Sequence, residues 1–378
     1  MHKFFTSSFD ASIYLQQPEQ NTGRDEILEV GKLYYGSTMD IARTLIKFNT
    51  TQISSSIVEN IGTGSYSVFL NLKSANSEEI PLEYTLYANA VSGSWSMGTG
   101  TKFDNITYDG VTWYYMDGST AKKWTNVFGE LQYTDYPNKT QGAQSGSIGS
   151  IYSSGGGIWY SASMASQSFS NEPDDIRMDV TDLVKLWISG SNTLPNNGFI
   201  LHHHPSASIS TTNDGIDYGV LKFFSKETNT IYEPKLELVW DDSSFVTGSL
   251  SAVTGSVEEG YKVVLTNIKK EYPQNQKVKI RVKGRDMYPL KSFGTGSFAY
   301  DQSKYLPTTT YYQLEDYKTG EIIFPFGNYT KISCDSTSNY FIMDLNTLPI
   351  NRTYKLKLKI VESGISTIID DKLIFEIV

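Results

Sequence analysis

The sequence predicts an all-β protein built from two β-sandwiches, and three observations carry this prediction. The composition is rich in Tyr (26) and Gly (30) and holds only 19% charged residues; aromatic and β-branched residues favour pleated sheets, and Gly serves turns. Several segments alternate apolar and polar residues with a period of two. The chain of 378 residues is also long for one hydrophobic core, which favours two domains.

Alternation is clearest in three segments, 353–362 (TYKLKLKIVE), 276–284 (QKVKIRVKG) and 234–240 (PKLELVW). A strand with this pattern buries one face and exposes the other to water. The residues predicted to point inward are Tyr354, Leu356, Leu358 and Ile360 in the first segment, Val278, Ile280 and Val282 in the second, and Leu236, Leu238 and Trp240 in the third.

One short helix is predicted, in residues 179–190 (DVTDLVKLWISG). Thr181 is the expected N-cap, Asp182 suits the positive N-terminal end, and Gly190 suits the position after the C-terminus. The apolar stripe that would face a sheet consists of Val180, Val184, Trp187 and Ile188.

A domain boundary is predicted near residue 242, where a strong strand ends in two acids and two serines. The domains would be 1–241 and 242–378, the second an immunoglobulin-like β-sandwich of strands alone. A Gly- and Ser-rich segment, about 126–157, is expected to be a long loop or insertion in the first domain.

Several blocks in the first domain resemble the DNRLRE-type β-sandwich family, also described as disaggregatase-related. They occur in the family's order over about residues 8–241. The blocks are 21–31 (NTGRDEILEVG), 42–48 (ARTLIKF), 94–118 (SWSMGTGTKFDNITYDGVTWYYMDG), 179–201 (DVTDLVKLWISGSNTLPNNGFIL) and 223–240 (FFSKETNTIYEPKLELVW).

This resemblance implies a jelly-roll-like β-sandwich without catalysis of its own. It also implies a role in surface attachment or glycan contact. The Gly- and Ser-rich insertion after Trp124 departs from the family pattern.

Three of the four histidines lie together in NGFILHHHPS, residues 197–206. On a strand, His202 and His204 would share one face and His203 would point to the other. An HxH pair can bind zinc if a third ligand is supplied, and His2 is the only other histidine. The favoured interpretation is that these are polar residues where the strand leaves the sheet.

Aromatic residues offer a second candidate site. Trp159, Tyr160, Tyr114 and Tyr115 would stack against sugar rings if they are exposed, and Trp159 and Tyr160 are the better candidates because glycines flank them. The alternative is that these large side chains fill the core.

Calcium is a weaker possibility at the acidic turns that contain Asp109, Asp117, Asp214 and Asp217. No dense calcium-binding loop supports it, and hairpin turns with positive φ explain the Asp-Gly pairs equally well. The sequence contains no recognisable nucleophile elbow, phosphate loop or dinucleotide fingerprint, so we expect no enzyme and no cofactor.

The bulk properties narrow the expected partners. A net charge of −9 and a pI of about 5.1 give no support to nucleic-acid binding. Cys334 is the only cysteine, so an intramolecular disulfide is excluded. No long apolar run predicts membrane insertion, and the N-terminus has no apolar core typical of an export signal.

These features are typical of an assembly component. The leading hypothesis is a structural protein of a tailed-bacteriophage virion, made in the host cytoplasm and located in the neck, tail or capsid surface. It would dock on other virion proteins in a symmetric multi-copy assembly and would contact a host surface glycan. The alternative is a carbohydrate-binding or adhesion module on a bacterial cell surface.

Overall fold

The computed structural model describes residues 1–35, 38–124, 132–134, 155–170, 175–188, 194–203, 217–289 and 303–378. β-strands make up most of the regular structure in these residues, and two α-helices accompany them. The predicted all-β fold class is therefore confirmed. No helix in the described stretches has the length and apolar character needed to cross a membrane.

The chain divides into two compact units. One comprises Phe4–Asn60 and Ser67–Leu238 and is called the N-terminal unit. The other, called the C-terminal unit, comprises Met1–Lys3, Ile61–Tyr66 and Val239–Val378. The division within β13 lies beside the sequence boundary at 241/242, and two short N-terminal stretches belong to the unit that follows it.

Among the described residues, thirteen strands and two α-helices begin before residue 241. The strands are β1 (His2–Tyr14), β2 (Ile27–Tyr35), β3 (Thr38–Phe48), β4 (Tyr66–Leu72), β5 (Glu83–Val91), β6 (Tyr115–Asp117), β7 (Lys122–Lys123), β8 (Gln132–Thr134), β9 (Ile158–Ser170), β10 (Ile176–Asp179), β11 (Phe199–His203), β12 (Gly219–Phe224) and β13 (Lys235–Trp240). The helices are α1 (Thr50–Asn60) and α2 (Thr181–Ile188).

Eleven of these strands form one sheet that divides at β3. Its main path runs β10-β4-β13-β1-β3-β11-β5-β9-β8, and β2 and β12 branch from β3. Ala42 on β3 pairs with Tyr14 of β1 and with Gly31 of β2, so these two neighbours lie on opposite edges of the strand. Strand β11 pairs further along β3, at residues 44–46. This branching folds the strands into layers, as a sandwich requires.

The predicted helix is confirmed as α2, although its cap differs from the prediction. Asp179 accepts a hydrogen bond from the backbone N–H of Thr181, whereas the Thr181 hydroxyl accepts one from the backbone N–H of Val68. The side chain that accepts a hydrogen bond from the start of the helix is therefore that of Asp179, two residues before the predicted cap, and Thr181 ties the helix to β4. Within the predicted stripe Val184 and Trp187 are buried, while Gly190 lies outside the described residues.

Helix α1 is absent from the sequence-based prediction. Its sequence, TTQISSSIVEN, is rich in Ser, Thr and β-branched residues, which are weak helix formers. Only Ile53 and Ile57 form its buried apolar face. Asn49 caps it by accepting a hydrogen bond from the Thr51 amide.

The described part of the C-terminal unit, which leaves out residues 290–302, contains nine further strands in two sheets. One has the order β14-β16-β20-β19 and the other β15-β22-β21-β17-β18. The strands are β14 (Tyr261–Thr266), β15 (Glu271–Tyr272), β16 (Lys277–Asp286), β17 (Thr310–Asp316), β18 (Ile322–Phe324), β19 (Ser333–Cys334), β20 (Asn339–Asp344), β21 (Arg352–Glu362) and β22 (Ile365–Ile377).

The two sheets of this unit pack face to face. Tyr312 of the five-stranded sheet stacks on Phe341 of the four-stranded sheet, with 4.3 Å between ring centroids. Every residue predicted to point inward on β16 and β21 is buried. On β13 the predicted residues are buried too, but so are Glu237 and Val239 on its other face.

Most of the predicted insertion at 126–157 lies outside the described residues. Its described part includes strand β8, which pairs with β9 at Trp159, so this part of the segment is sheet and not loop.

Candidate functional site

The expectation that Trp159 and Tyr160 are exposed is wrong. Their side chains are 1% and 5% exposed, so neither ring presents a face to a sugar. The flanking glycines serve close packing, since a Cβ on Gly155 would lie 2.2 Å from the backbone oxygen of Trp113. Tyr114 and Tyr115 lie in half-buried positions.

The guanidinium group of Arg43 is buried against the rings of Trp113 and Trp159, which places both tryptophans in the core. Arg43 is 0% exposed and lies 4.9 Å from the ring of Trp113 and 5.5 Å from that of Trp159. It donates a hydrogen bond to the backbone oxygen of Gly156. The guanidinium thus makes cation–π contacts with two rings, and the contact with Trp159 links β3 to β9.

The histidine segment is also buried. His202 stacks on Trp159 at 4.6 Å, and its Nε2 lies 2.9 Å from Oδ1 of Asn89. His203 points to the other face, packs against Tyr218, and burial lowers its pKa to about 4. These two residues therefore lie at the end of β11, as the favoured interpretation has it, and both side chains are buried. His204 lies outside the described residues.

The described residues contain no group of three or more His, Cys, Asp or Glu arranged to hold a metal ion. Asp109 instead accepts hydrogen bonds from Thr99, which lower its pKa, and Asp117 does the same with Ser119. Asp217 accepts a hydrogen bond from the amide of Tyr34. Asp214 lies outside the described residues.

Glycines beside the first two acids do not have the positive φ that the hairpin interpretation requires. Neither Gly110 nor Gly118 is in the left-handed region. At Gly110 close packing excludes a side chain, because a Cβ would lie 2.4 Å from Nδ2 of Asn21.

Asn21 holds a long surface segment, residues 97–111, which we call the braced loop. Its Nδ2 donates to the backbone oxygens of Met97 and Val111, each at 2.8 Å, and its Oδ1 accepts from the amide of Gly100 at 2.8 Å. Asn21 is fully buried. The amide of Lys102 adds a bond to Asp25, so both ends and the middle of the loop are fixed.

The braced loop exposes apolar side chains. Phe103 is 88% exposed, Tyr108 62% and Ile106 45%. A fixed backbone that presents aromatic rings to solvent is a feature of recognition surfaces, since the loop loses little entropy on binding.

A cavity of about 120 Å³, which we call the polar cleft, lies beside this loop. One register row across four strands forms its floor, because Val220 pairs with Gly31, Gly31 with Ala42, and Ala42 with Tyr14. The small residues at the centre of the row leave the space open. A Cβ on Gly31 would lie 2.6 Å from a backbone oxygen of β12, so Gly is required where the strands approach.

Charged side chains line the walls of the polar cleft. Lys102 of the braced loop forms an ion pair with Glu29, and Lys222 forms one with Glu78, each at 2.6 Å. The ammonium of Lys102 also lies 4.2 Å from the ring centroid of Tyr14. Both lysines retain further N–H donors, and both carboxylates retain further lone pairs.

Asp40 completes the lining of the cleft. Its Oδ1 is buried and accepts no hydrogen bond. Burial raises the pKa of its carboxyl group, and hydrogen bonds and the Lys102 charge offset this only in part. An unfilled acceptor at a cavity wall is a position where a donor from a ligand gains the most.

The C-terminal unit offers a different surface, the outer edge of β22. Along residues 365–375 the described chain pairs β22 only with β21, because β15 meets it solely at Glu376 and Ile377. The same stretch exposes Ile365 (70%), Ile368 (57%) and Ile374 (43%).

No model of a known protein family matches the sequence, and no curated protein matches it. The resemblance to the DNRLRE type stays a prediction from the quoted residues.

Several residues that carry that resemblance have clear structural roles. Asn21 braces a loop, and Arg43 contacts the rings of two tryptophans. Ser225 donates a hydrogen bond to the backbone oxygen of Asp25.

Sequence reasoning missed the polar cleft. Its residues come from six separate segments, and no short motif joins them. One usable signal was Gly31 within an otherwise regular strand, since a glycine there marks a close approach of another backbone.

Proposed function

We propose that this protein is a non-enzymatic structural component of a tailed-bacteriophage virion, in the neck, tail or capsid surface. Its C-terminal unit docks on other virion proteins in a symmetric multi-copy assembly, and its N-terminal unit faces outward and contacts the host surface. The observation that carries the docking role is the edge of β22.

An edge strand with free backbone groups pairs readily with a strand of another chain. Proteins that stay monomeric protect such edges with charges, bulges or short strands. On β22, Asp370, Asp371 and Lys372 interrupt the middle, but exposed isoleucines lie on both sides. Burial of apolar surface contributes about 25 cal/mol per Å² removed from water, so covering these isoleucines favours association at this edge.

The test is mass spectrometry of gradient-purified particles that carry the gene. We expect the chain in many copies per particle, and its absence from the particles would overturn the proposal. The edge itself is tested with Ile368→Lys, which should reduce incorporation at least tenfold without changing the melting temperature of the free protein.

Ile350→Lys is the matched control, because Ile350 is 52% exposed and lies in a turn outside β22. It should be incorporated like the wild type. Equal incorporation of both variants would show that docking uses another surface.

A second candidate, an adhesion module of a bacterial cell surface, is favoured by the polar cleft beside the exposed Phe103 and Tyr108. Apolar rings next to hydrogen-bonding side chains suit contact with a carbohydrate. Detection of the chain in the cell-envelope fraction of uninfected bacteria, and not in particles, would favour this candidate.

A further inference from the structure

We propose that the polar cleft, together with Phe103 of the braced loop, binds a neutral hydroxyl-rich ligand, a single sugar residue of a surface glycan. The inference deepens the outward-facing, adhesive part of the proposed function and rests on it. It places the contact away from Trp159 and Tyr160, at residues that no sequence motif marks.

The charge pattern of the cleft selects against ionic ligands. Three carboxylates, of Glu29, Asp40 and Glu78, and three lysines, Lys32, Lys102 and Lys222, line the cleft. An anion would meet the carboxylates, and a cation would meet the lysines, at the short distances where like charges repel strongly. A neutral ligand avoids both costs.

Hydroxyl groups fit the hydrogen-bonding capacity of these walls. Each hydroxyl donates one bond and accepts others, so a polyol satisfies ammonium and carboxylate groups at once. The buried Oδ1 of Asp40 accepts no bond in the structure and would accept one from a ligand hydroxyl. Bonds between a hydroxyl and a charged group are stronger than neutral ones, which offsets the desolvation of the cleft.

The size of the cleft and its neighbour limit the ligand further. A volume of about 120 Å³ equals the space of about four water molecules, which suits one ring-sized polar group. Lys102 connects the two parts of the site, since its ammonium pairs with Glu29 and lies 5.7 Å from the ring of Phe103. A sugar in the cleft would thus have an apolar ring beside it.

The test uses the full chain on an array of neutral oligosaccharides built from glucose, galactose, mannose and N-acetylglucosamine, followed by calorimetry with each retained compound. Asp40→Ala removes the unfilled acceptor, and Phe103→Ala removes the exposed ring. We expect Asp40→Ala to abolish retention and Phe103→Ala to weaken affinity about tenfold.

Two control variants separate the site from general surface effects. Tyr288→Ala removes a ring that is 84% exposed in the C-terminal unit, matching the 88% of Phe103. Lys357→Met breaks the ion pair with Glu315, whose burial resembles that of Lys102 and Glu29. Both should bind like the wild type, whereas Lys102→Met should lose affinity, with all melting temperatures measured in parallel.

The inference fails if no neutral oligosaccharide is retained. It also fails if Asp40→Ala and Phe103→Ala bind like the wild type, or if calcium alone raises the melting temperature through Asp40. Failure on the array with the chain present in purified particles would leave the proposed function intact. If the protein binds an oligosaccharide, the variants lose that binding and the chain is absent from purified particles, the binding site stands and the virion role is overturned.

Discussion

Asp10 in the N-terminal unit and Asp316 in the C-terminal unit are both buried aspartates, yet their surroundings shift the pKa in opposite directions. Burial raises the pKa of Asp10 to about 7, and the hydrogen bonds from Lys226 and Ser7 do not compensate. Burial acts on Asp316 too, but hydrogen bonds from the backbone of residues 318–319 and the charge of Arg352 outweigh it and lower its pKa.

This contrast extends to the rest of the two units. On β21 of the C-terminal unit the charged side chains alternate with the apolar core residues and stay partly exposed, although Asp316 of the same unit is buried. The N-terminal unit buries Arg43, Lys32 and His203, each no more than 2% exposed. Buried polar groups hold specific geometry at the expense of stability, which suits the unit that presents the braced loop and the polar cleft.

The largest expected difference between the two units is the loss of unfolding free energy when an arginine of each is replaced. Arg43→Ala removes a buried cation that contacts two tryptophan rings and should lower the free energy of unfolding by about 3–5 kcal/mol, as for other large buried side chains. Arg281→Ala on β16 breaks a partly exposed ion pair with Asp335 and should cost about 0–1 kcal/mol. Denaturant unfolding of both variants measures the comparison, and equal losses would contradict it.

The next effect is a pH dependence of stability. In the unfolded chain Asp10 ionises near 3.8, the ordinary pKa of an aspartate, whereas in the folded state it holds its proton up to about pH 7. The folded state therefore binds more protons between these values, and stability falls as the pH rises through them, by at most about 4 kcal/mol.

Asp10→Asn should flatten this dependence between about pH 4 and pH 7. Asp316→Asn should not, because the lowered pKa of Asp316 affects stability only at more acidic pH, where protonation of the folded carboxylate removes its contribution. Thermal unfolding across this range tests both variants. An unchanged slope in Asp10→Asn would show that another group titrates there.

The sequence predicted the strands of the C-terminal unit better than the elements of the N-terminal unit. Period-two alternation predicts the inward residues of β16 and β21 because each strand there has one wet face. On β13 the rule fails at Glu237, since the strand is buried on both faces. Helix α1 has too short an apolar stripe to be recognised from its residues.

The site depends on contacts that sequence patterns do not contain. The polar cleft needs β12 beside β2, which pairs residues almost 190 positions apart, such as Val220 and Gly31. The glycines before Trp159 led to the prediction that its side chain is exposed. In the structure Gly155 and Gly156 instead allow close packing against Trp113. The sequence alone does not distinguish a glycine in an exposed loop from a glycine at a close packing contact.

The central claim is that the N-terminal unit presents a preformed surface, held by Asn21 beneath the braced loop. Hydrogen–deuterium exchange of the free full chain tests it most directly. The amides of Gly100, Lys102 and Val111 should exchange as slowly as those in neighbouring strands, because each donates a hydrogen bond within the unit. Exchange of these amides at the rate of an unfolded chain would contradict the account.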